Sequence, residues 1–428
     1  MQRGKHSDIS RRQFVKTTAA AVAASAVAPR LARAQAAGKP LKVGLIGCGG
    51  RGTGAAVDAI SADPGVKVVA LADVFKDRID SCRNTLKEKG KNEVDEKMCF
   101  VGFDAYKKLL DTDVDYVILG TPPYYRPVHF PACIDAGKHV FMEKPVCVDP
   151  VGGRKMLAAG EKASQKGLSV VAGTQRRHQK SYVETIKRIH DGALGKILSA
   201  QAYWNMGQLW YRKREPGWSD MDWMIRDWVN WAWLSGDHIV EQHVHNLDVI
   251  NWVLGRMPRK VVAMGGRARR VTGDQYDFFA ADFFYPHPDR PDKPDRDIHV
   301  LSQCRQINNC ANDVSERVIG EKGVSNCNGW ISSMPDLKID GGASPYVQEH
   351  KDLIAAIRNE KPVNETKQVT ESTLCAVMAR MSAYTGKAVT WDEMMKSDLV
   401  LDPPHYELSE EFIKNGVIKV HIPVPGTV

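Results

Sequence analysis

The chain has 428 residues, of which 43% are hydrophobic and 26% charged, so it is long enough for two globular domains with a substantial core. The net charge of +8 is concentrated at one end, because residues 1–36 contribute six of the eight charges. The nearly neutral remainder argues against a nucleic-acid-binding protein. Beyond residue 36 there is no run of about 20 apolar residues, so we expect no membrane anchor.

The first 36 residues have the features of an export peptide. Residues 10–16 (Ser-Arg-Arg-Gln-Phe-Val-Lys) resemble the twin-arginine consensus, and an Ala-rich, weakly apolar run follows from Thr17 to Ala28. We therefore predict that residues 1–36 are a twin-arginine signal peptide. This predicts the twin-arginine translocation machinery as a partner and a mature protein that is periplasmic or otherwise exported.

The nine cysteines are scattered and contain no Cys-x-x-Cys pair. This pattern is typical neither of a disulfide framework nor of a structural zinc site, and we predict no metal. Cys304 and Cys310 are close enough in sequence for a bridge, but the sequence does not decide whether they form one.

A strand, a glycine-rich turn and a helix follow one another from residue 41. Leu41–Ile46 is a strand-like apolar run, and Gly47, Gly49 and Gly52 then form the pattern G-x-G-x-x-G before a predicted helix over residues 53–61. In this context the glycines permit a tight turn and close approach of a pyrophosphate to the helix N-terminus. Gly50 and Arg51 of the same loop are further predicted cofactor contacts.

A second strand over residues 66–72 ends at Asp73, 21 residues after Gly52. A carboxylate at this position accepts hydrogen bonds from the adenosine ribose, which favours NAD, although Lys76 and Arg51 leave NADP open. Two further predicted strands, residues 114–119 and 139–142, lead into Thr121-Pro122 and Glu143, where ligands of parallel sheets bind. Residues 41–165 are therefore predicted to be a Rossmann dinucleotide-binding domain.

The motifs Thr121-Pro122, residues 136–140 (Ala-Gly-Lys-His-Val) and residues 143–145 (Glu-Lys-Pro) resemble those of the Gfo/Idh/MocA family, named for glucose-fructose oxidoreductase and inositol dehydrogenase. The resemblance extends from residue 41 to about residue 398. It implies an α/β protein in which residues 166–428 form a second domain with a large, open, mainly antiparallel sheet. It also implies Lys144 between nicotinamide and substrate, a cis peptide at Pro145, and a homodimer or homotetramer.

Residues 241–248 correspond to the family pattern Asp-x-Gly-x-His-x-x-Asp. His245 and Asp248 match it, whereas Glu241 and His243 replace the Asp and the Gly. The resemblance makes His245 the general base. Independently, oxidation of a secondary alcohol requires a base for the hydroxyl proton and a hydride acceptor facing the carbon. His245 suits the first task, and the ammonium of Lys144 can stabilise negative charge that develops on the oxygen.

Glu241 is the third predicted catalytic residue, since on a helix it shares a face with His245 four positions later. A purely structural polar helix face is one alternative. A metal site formed by His238, Glu241 and His245 is another.

Several residues are predicted to contact the substrate. Arg126 stands where many family members have a histidine, and the loop after a predicted strand at 168–172 brings three more candidates. The segment 203–233 holds seven of the ten tryptophans, whose flat rings stack on sugars but also fill cores and interfaces. The candidates are Arg126, Arg176, Arg177, His178, Trp210, Tyr211, Arg226 and His243.

These features predict an NAD(P)-dependent oxidoreductase acting on a secondary hydroxyl of a sugar, polyol or related carbohydrate. Because an exported enzyme has no renewable pool of free nicotinamide cofactor, we expect the cofactor to be tightly retained. Two alternatives stay open: a redox-neutral, NAD-dependent glycoside-cleaving enzyme that works by oxidation and elimination, and a non-catalytic ligand-binding protein of the same fold.

Overall fold

The computed structural model of the protein describes residues 40–401, 403 and 422–427, so the predicted signal peptide lies outside the described residues. Six strands form a first, all-parallel sheet in the order β3-β2-β1-β4-β5-β6. Their bounds are β1 Leu41–Ile46, β2 Val66–Asp73, β3 Cys99–Val101, β4 Tyr116–Leu119, β5 His139–Met142 and β6 Val170–Ala172. This order is that of a Rossmann fold, as predicted.

Helices cover both faces of this sheet, which is why its strands are almost continuously apolar. They are α1 Gly50–Ala62, α2 Lys76–Gly90, α3 Ala105–Leu110, α4 Arg126–Asp135 and α5 Pro150–Gln165. Along β4, Tyr116 and Ile118 join one apolar cluster, whereas Val117 and Leu119 join the other. Alternate side chains therefore enter two separate cores, one on each side of the sheet.

The first sheet reaches beyond the predicted domain boundary at residue 165. The apolar run that ends at Ala172 forms β6. It pairs in parallel with the edge of β5 that β4 leaves free, so both edges of β5 are hydrogen-bonded. A helix much later in the chain, α11 over Pro345–Arg358, also belongs to this layer, since Leu353 and Ile354 pack with Ala55 and Ala59 of α1. The split at residue 165 is thus corrected: the first domain includes β6 and is completed by α11.

The second sheet has seven strands in the order β12-β11-β7-β10-β9-β8-β13. Only β7 and β10 pair in parallel, so the predicted large, mainly antiparallel sheet is confirmed. The bounds are β7 Ile197–Met206, β8 Lys260–Gly266, β9 Phe278–Tyr285, β10 Ile298–Gln306, β11 Asp313–Gly320, β12 Gly323–Ser325 and β13 Val389–Thr390. The predicted loop at 285–298 joins β9 to β10.

One face of the second sheet packs against helices, and α12 lies at the centre of that packing. Val369, Leu374, Val377 and Met378 of α12 are fully buried, as expected of a helix that is enclosed on all sides. The remaining helices are α6 Lys180–His190, α7 Asp220–Arg226, α8 Ala232–Ser235, α9 His238–Glu241, α10 Val244–Leu254, α12 Thr366–Thr385 and α13 Trp391–Lys396.

Cys304 is buried, Cys310 is exposed, and both are free thiols, which answers the question that the sequence left open. Among the helices of the described ranges, none combines the length and the apolar character needed to cross a membrane.

Candidate active site

The glycine-rich loop leaves room for an anion at the start of α1. Gly47 has a φ of 95°, and a Cβ added at Gly52 would lie 1.9 Å from the carbonyl oxygen of Gly47, so neither position accepts a side chain. A Cβ added at Gly49 would meet nothing within 4 Å. Because no side chain caps α1 and its first turn has no acidic residue, its N–H groups are available to a pyrophosphate.

Asp73 lies at the carboxyl end of β2, beside this loop. Its Oδ2 accepts a hydrogen bond from the N–H of Cys48 at 2.7 Å, and its Oδ1 accepts one from the N–H of Phe75 at 2.9 Å. Burial raises the pKa of Asp73, and these two donors act in the opposite direction. The carboxylate is thereby fixed where an adenosine ribose is expected.

A cavity of about 420 Å³ runs along the carboxyl ends of the first sheet. Of the predicted cofactor residues, its walls contain Gly47, Gly49, Gly50, Arg51, Asp73, Thr121 and Pro122. The walls also contain residues that no motif indicates, among them Phe75, Arg78, Phe103, Tyr106, Arg212 and Trp228. The first four follow β2 and β3 closely, so the rule that ligands bind at strand ends identifies them in retrospect. The cavity and its donors fit a dinucleotide.

Arg51 connects the glycine-rich loop to α11. Its Nε donates to Glu143, its Nη2 lies 3.7 Å from Oε1 of the fully buried Glu349, and its guanidinium lies 4.9 Å from the ring centroid of Tyr346. Burial holds the pKa of Glu349 well above its usual value. Glu143 therefore acts on the loop through Arg51, and its predicted contact with the cofactor itself stays a prediction.

Lys144 follows β5 and is held by the second domain. The Lys144–Pro145 peptide bond is cis, as the family resemblance implies. The Nζ of Lys144 donates to Oε1 of Glu241 at 3.0 Å and to the carbonyl oxygen of Glu241 at 2.6 Å. Both side chains are about nine-tenths buried, with 11% and 8% exposed. This cation is thus oriented by a carboxylate from α9.

His245 is buried beside this pair, and its imidazole stacks on the indole of Trp204 with ring centroids 5.7 Å apart. Burial and the positive charges of Lys144 and Arg176 hold the pKa of His245 well below its ordinary value. The imidazole is therefore neutral near pH 7 and able to accept a proton.

Glu241 and His245 do not lie on one continuous helix, so that prediction is wrong. The helix α9 ends at Glu241, and α10 begins at Val244. At this junction the main-chain hydrogen bonds join residues three apart, as in a 3₁₀ turn. The N–H of His245 donates to the carbonyl of Gln242, and the N–H of Asn246 donates to the carbonyl of His243.

Within the described ranges, no group of three or more His, Cys, Asp or Glu side chains is arranged to hold a metal ion. His238, a member of the alternative metal set, is buried with neither ring nitrogen hydrogen-bonded.

Arg126 is buried, and its guanidinium binds the main chain of the first domain. Its Nε donates to the carbonyl of Glu143 at 3.0 Å, and its Nη1 donates to the carbonyl of Pro122 at 3.0 Å and also to that of Thr121. Burial lowers the pKa of Arg126 to about 10. Arg126 therefore fastens the ends of β4 and β5 to each other, and its predicted substrate contact stays a prediction.

The predicted candidates after β6 form internal ion pairs. Arg177 binds Asp248 through two hydrogen bonds of 2.8 and 2.9 Å. Arg176 pairs with the buried Glu316, and its charge reaches the site through its effect on His245.

His178 pairs with Asp352 at 2.6 Å and with Glu365 at 3.4 Å. Although burial alone would lower it, these hydrogen bonds raise the pKa of His178 to about 10. These ion pairs occupy Arg177 and His178, and a substrate contact by either residue stays a prediction.

The other substrate candidates are also placed differently from the prediction. His243 is fully buried, and its Nε2 lies 2.7 Å from the hydroxyl of Ser302, so this candidate is corrected to a core residue. Trp210 and Arg226 line the nucleotide cavity. Tyr211 is exposed next to Trp210, outside the cavity lining. The tryptophan-rich segment therefore serves the cofactor end of the site, a role that no local sequence pattern indicated.

Comparison with known proteins agrees with this architecture. A family model described as an oxidoreductase family with an NAD-binding Rossmann fold matches residues 41–171, and the model of the GFO/IDH/MocA C-terminal domain matches residues 182–324. The model of the twin-arginine translocation signal matches residues 8–28, so the chain carries a signal for export by that pathway.

Two curated relatives match part of the chain. It is 23% identical over 229 residues to scyllo-inositol 2-dehydrogenase (NAD(+)) of Bacillus subtilis, covering 54% of this chain and 57% of that protein. It is 27% identical over 193 residues to 2,7-anhydro-N-acetylneuraminate hydratase of Mediterraneibacter gnavus, covering 44% and 47%. The matches thus span about half the length of these relatives.

Among solved structures, the aldose-aldose oxidoreductase of Caulobacter crescentus superposes with a TM-score of 0.63 at 17% identity, covering 82% of this chain and 100% of that one. The two family models match the two domains in the order in which they occur in the chain. The chain therefore belongs to the GFO/IDH/MocA family of NAD-binding oxidoreductases.

Proposed function

We propose that this protein oxidises a secondary hydroxyl of a sugar, polyol or related carbohydrate with a tightly retained NAD(P). The observation that supports this best is the neutral, buried imidazole of His245 beside the Lys144 ammonium. A buried proton acceptor beside a cation suits alcohol oxidation, because the base removes the hydroxyl proton and the cation stabilises the negative charge that develops on the oxygen.

In this proposal each residue has one task. Lys144 donates a hydrogen bond to the substrate oxygen and stabilises negative charge that develops there, while Glu241 orients its ammonium. His245 takes the hydroxyl proton at one of its ring nitrogens. The glycine-rich loop, Asp73 and Thr121-Pro122 would hold the dinucleotide, which when bound accepts a hydride from the carbinol carbon.

The substrate class is inferred from the relatives and from chemistry. One relative is the scyllo-inositol 2-dehydrogenase (NAD(+)) of Bacillus subtilis. Exported proteins meet no recycled pool of nicotinamide nucleotide, so a retained cofactor would be reoxidised by a second substrate within the same site. We accordingly expect paired oxidation of one carbohydrate and reduction of another.

The test begins with the purified, exported form of the protein. Mass spectrometry of the denatured sample identifies any retained nucleotide, and absorbance of the reduced nicotinamide follows addition of inositols and aldoses. We expect NAD(H) to be found and to become reduced by at least one polyol or aldose. Absence of nucleotide together with no reduction of added NAD or NADP would refute the enzyme and leave the ligand-binding alternative.

A redox-neutral cleavage or hydration reaction is the second candidate. It is favoured by the similarity to 2,7-anhydro-N-acetylneuraminate hydratase. In such a reaction the alcohol would be oxidised to a ketone, a base would remove the acidified neighbouring proton as the β-oxygen substituent leaves, and water would add to the resulting double bond. The hydride would pass to the bound nucleotide at the start and return from it to the ketone at the end, so no net oxidation results. Incubation of glycosides or anhydro-sugars in D₂O separates the two candidates, because only this reaction places deuterium on carbon without net nucleotide reduction.

We also propose that the protein is a homodimer or homotetramer. Val262, Met264, Phe278 and Leu301 lie on neighbouring strands of the second sheet, on the face away from α12, and are 39–70% exposed. These apolar side chains share the open face with Asp282, which lies between Val262 and Leu301, and several exposed apolar groups among polar ones on one sheet face are typical of an interface. A second copy of this chain is the partner that we expect there.

A further inference from the structure

The second domain builds the outer wall of the nucleotide cavity. Residues 207–233, which we call the cap segment, leave β7 and pack on the first domain. Five of its residues line the cavity beside Asp73, namely Trp210, Arg212, Ile225, Arg226 and Trp228. A Rossmann domain alone would leave this side open to solvent.

The cap segment lies at one particular end of the cavity. In the order β3-β2-β1-β4-β5-β6, Asp73 and Phe75 follow β2, Phe103 follows β3, and Lys144 follows β5 on the other side of β1. A carboxylate after β2 marks the adenosine half of a dinucleotide. The cap segment therefore covers the adenosine end and leaves the Lys144 end to the substrate.

Two kinds of contact fasten the cap segment to the first domain. Met221, Met224 and Ile225 of α7 are buried in one apolar cluster with Phe75 and Tyr125. An ion pair lies next to this cluster: the guanidinium of Arg226 lies 3.8 Å from the ring centroid of Phe75 and donates to both carboxylate oxygens of Asp77 at 2.8 and 2.9 Å. Arg226 is 14% exposed and Asp77 is 61% exposed, so the pair lies at the rim of the cluster.

The cavity side of the cap segment suits a purine nucleotide. The indoles of Trp210 and Trp228 meet edge to face at 6.3 Å, and the guanidinium of Arg212 lies 5.9 Å from the ring centroid of Trp210. Arg78 of the first domain lines the same cavity as Trp210, Arg212 and Trp228. Flat indole and guanidinium surfaces stack on bases, and cations attract the phosphates.

We propose that the cap segment completes an adenine-nucleotide subsite, and that the Arg226–Asp77 ion pair retains the nucleotide by keeping this wall closed. NAD(H) then leaves only when a contact between the two domains opens. The inference rests on the proposed function only in taking the ligand to be NAD(H), and it explains how a cofactor is kept during export and turnover.

The test measures nucleotide release without any sugar. Protein loaded with NADH is mixed with excess NAD, and the loss of bound NADH fluorescence gives the dissociation rate. We expect Trp210→Ala to release NADH about tenfold faster, because base stacking is lost. Asp77→Asn, which changes only the exposed partner of the ion pair, should accelerate release about threefold.

Two further variants make the result specific. Arg226→Asp should release NADH faster than any other variant, and adding Asp77→Arg to it should restore slow release by re-forming the pair in reverse. The control is Trp330→Ala, since Trp330 is 48% exposed against 45% for Trp210 but lies outside the cavity lining. Equal release rates in all variants, or acceleration by Trp330→Ala as large as by Trp210→Ala, would overturn the inference.

The release experiment and the carbohydrate-oxidation experiment can fail independently of each other. If release is accelerated as expected but no carbohydrate is ever oxidised, the subsite stands and the proposed reaction fails. If carbohydrates are oxidised with added NAD but release does not respond to these variants, the reaction stands and the retaining role of the cap segment fails.

Discussion

The ammonium of Lys144 lies 3.0 Å from Oε1 of Glu241, and this contact joins the strand end of one domain to a short helix of the other. Neither residue can be positioned by its own domain alone. The reactive geometry therefore depends on how the two domains pack. Glu241, which stands where the family pattern has an aspartate, offers the lysine both its carboxylate and its main-chain carbonyl.

Replacing Lys144 tests its role in turnover. Lys144→Met should lower kcat for carbohydrate oxidation by about 100-fold or more, because one preorganised donor to developing negative charge is lost. The dissociation rate of NADH should change little, since Lys144 is not in the wall of the nucleotide cavity. Glu241→Gln keeps a hydrogen-bond acceptor and should cost about tenfold in kcat. Full turnover by Lys144→Met would contradict the site.

Asp73 is expected to set the preference between NAD and NADP. Its carboxylate repels a 2′-phosphate, whereas Arg78 and Arg212 in the same cavity would attract one. Asp73→Ser should therefore raise the ratio of kcat/KM for NADP to that for NAD by about tenfold or more. Glu93→Gln, which alters an exposed carboxylate outside the cavity lining, serves as the control and should leave this ratio unchanged. An equal loss with both nucleotides would show that Asp73 is only structural.

The nucleotide half of the fold was predictable because its determinants are local. A strand, three glycines and an acid at fixed spacing dictate one turn and one carboxylate position, and the structure places Gly47, Gly52 and Asp73 accordingly. The domain boundary was harder to predict from the sequence. β6 pairs with the first sheet, and α11 packs on the same domain from a distant part of the chain, and no local pattern indicates either contact.

The residues around the reacting centre were only partly predictable. A motif identifies Lys144 and His245, but it does not indicate which polar side chains find internal partners. Arg177 is satisfied by Asp248, 71 residues away, and His178 by Asp352, 174 residues away. Such pairing between residues far apart in the chain engages charged side chains that the sequence alone suggests are available to a substrate. The same holds for Trp210, whose place in the nucleotide cavity follows from domain packing.

Arg126 should affect stability and nucleotide binding, not recognition of the carbohydrate. Arg126→Met removes the donor to the main-chain carbonyls of Glu143, Thr121 and Pro122, of which that of Pro122 keeps the N–H of Tyr125, and we expect it to lower the free energy of unfolding by about 3 kcal/mol. Urea denaturation measures this loss. Arg188→Met removes an arginine from a partly exposed pair on α6 and should change stability by less than about 0.5 kcal/mol. A raised carbohydrate KM with unchanged stability would instead support the substrate role.

The open face of the second sheet should determine the oligomeric state. Met264→Asp combined with Leu301→Asp places two charges on this face, and we expect the oligomer to dissociate in light scattering. Both side chains are exposed within one chain, so folding should be preserved. Val271→Asp is the control, because Val271 is 78% exposed in the loop after β8 and lies off this face. A wild-type protein that is monomeric at all concentrations would contradict the prediction.

His350 should make the protein sensitive to acid. Its ring is fully buried against Phe141, and neither ring nitrogen is hydrogen-bonded. Burial, with the charges of Arg51 and His178, lowers the pKa of His350 from 6.5 to about 3. Below pH 6.5 the unfolded chain therefore binds a proton that the folded protein excludes, so this term destabilises the fold as the pH falls from 6.5 towards 3 and is absent above 6.5.

The variant His350→Phe isolates that term. Phenylalanine fills a similar volume beside Phe141 and does not titrate, so the free energy of unfolding should fall less steeply with acid. Between about pH 7.5 and about pH 5 we expect the variant to lose about 2 kcal/mol less than the wild type. His129 and His243, whose pKa values burial also lowers to about 3, remain in both proteins and contribute equally. Urea denaturation at the two pH values measures the difference. If wild type and variant differ by the same amount at both, the His350 imidazole is not the acid-sensitive group.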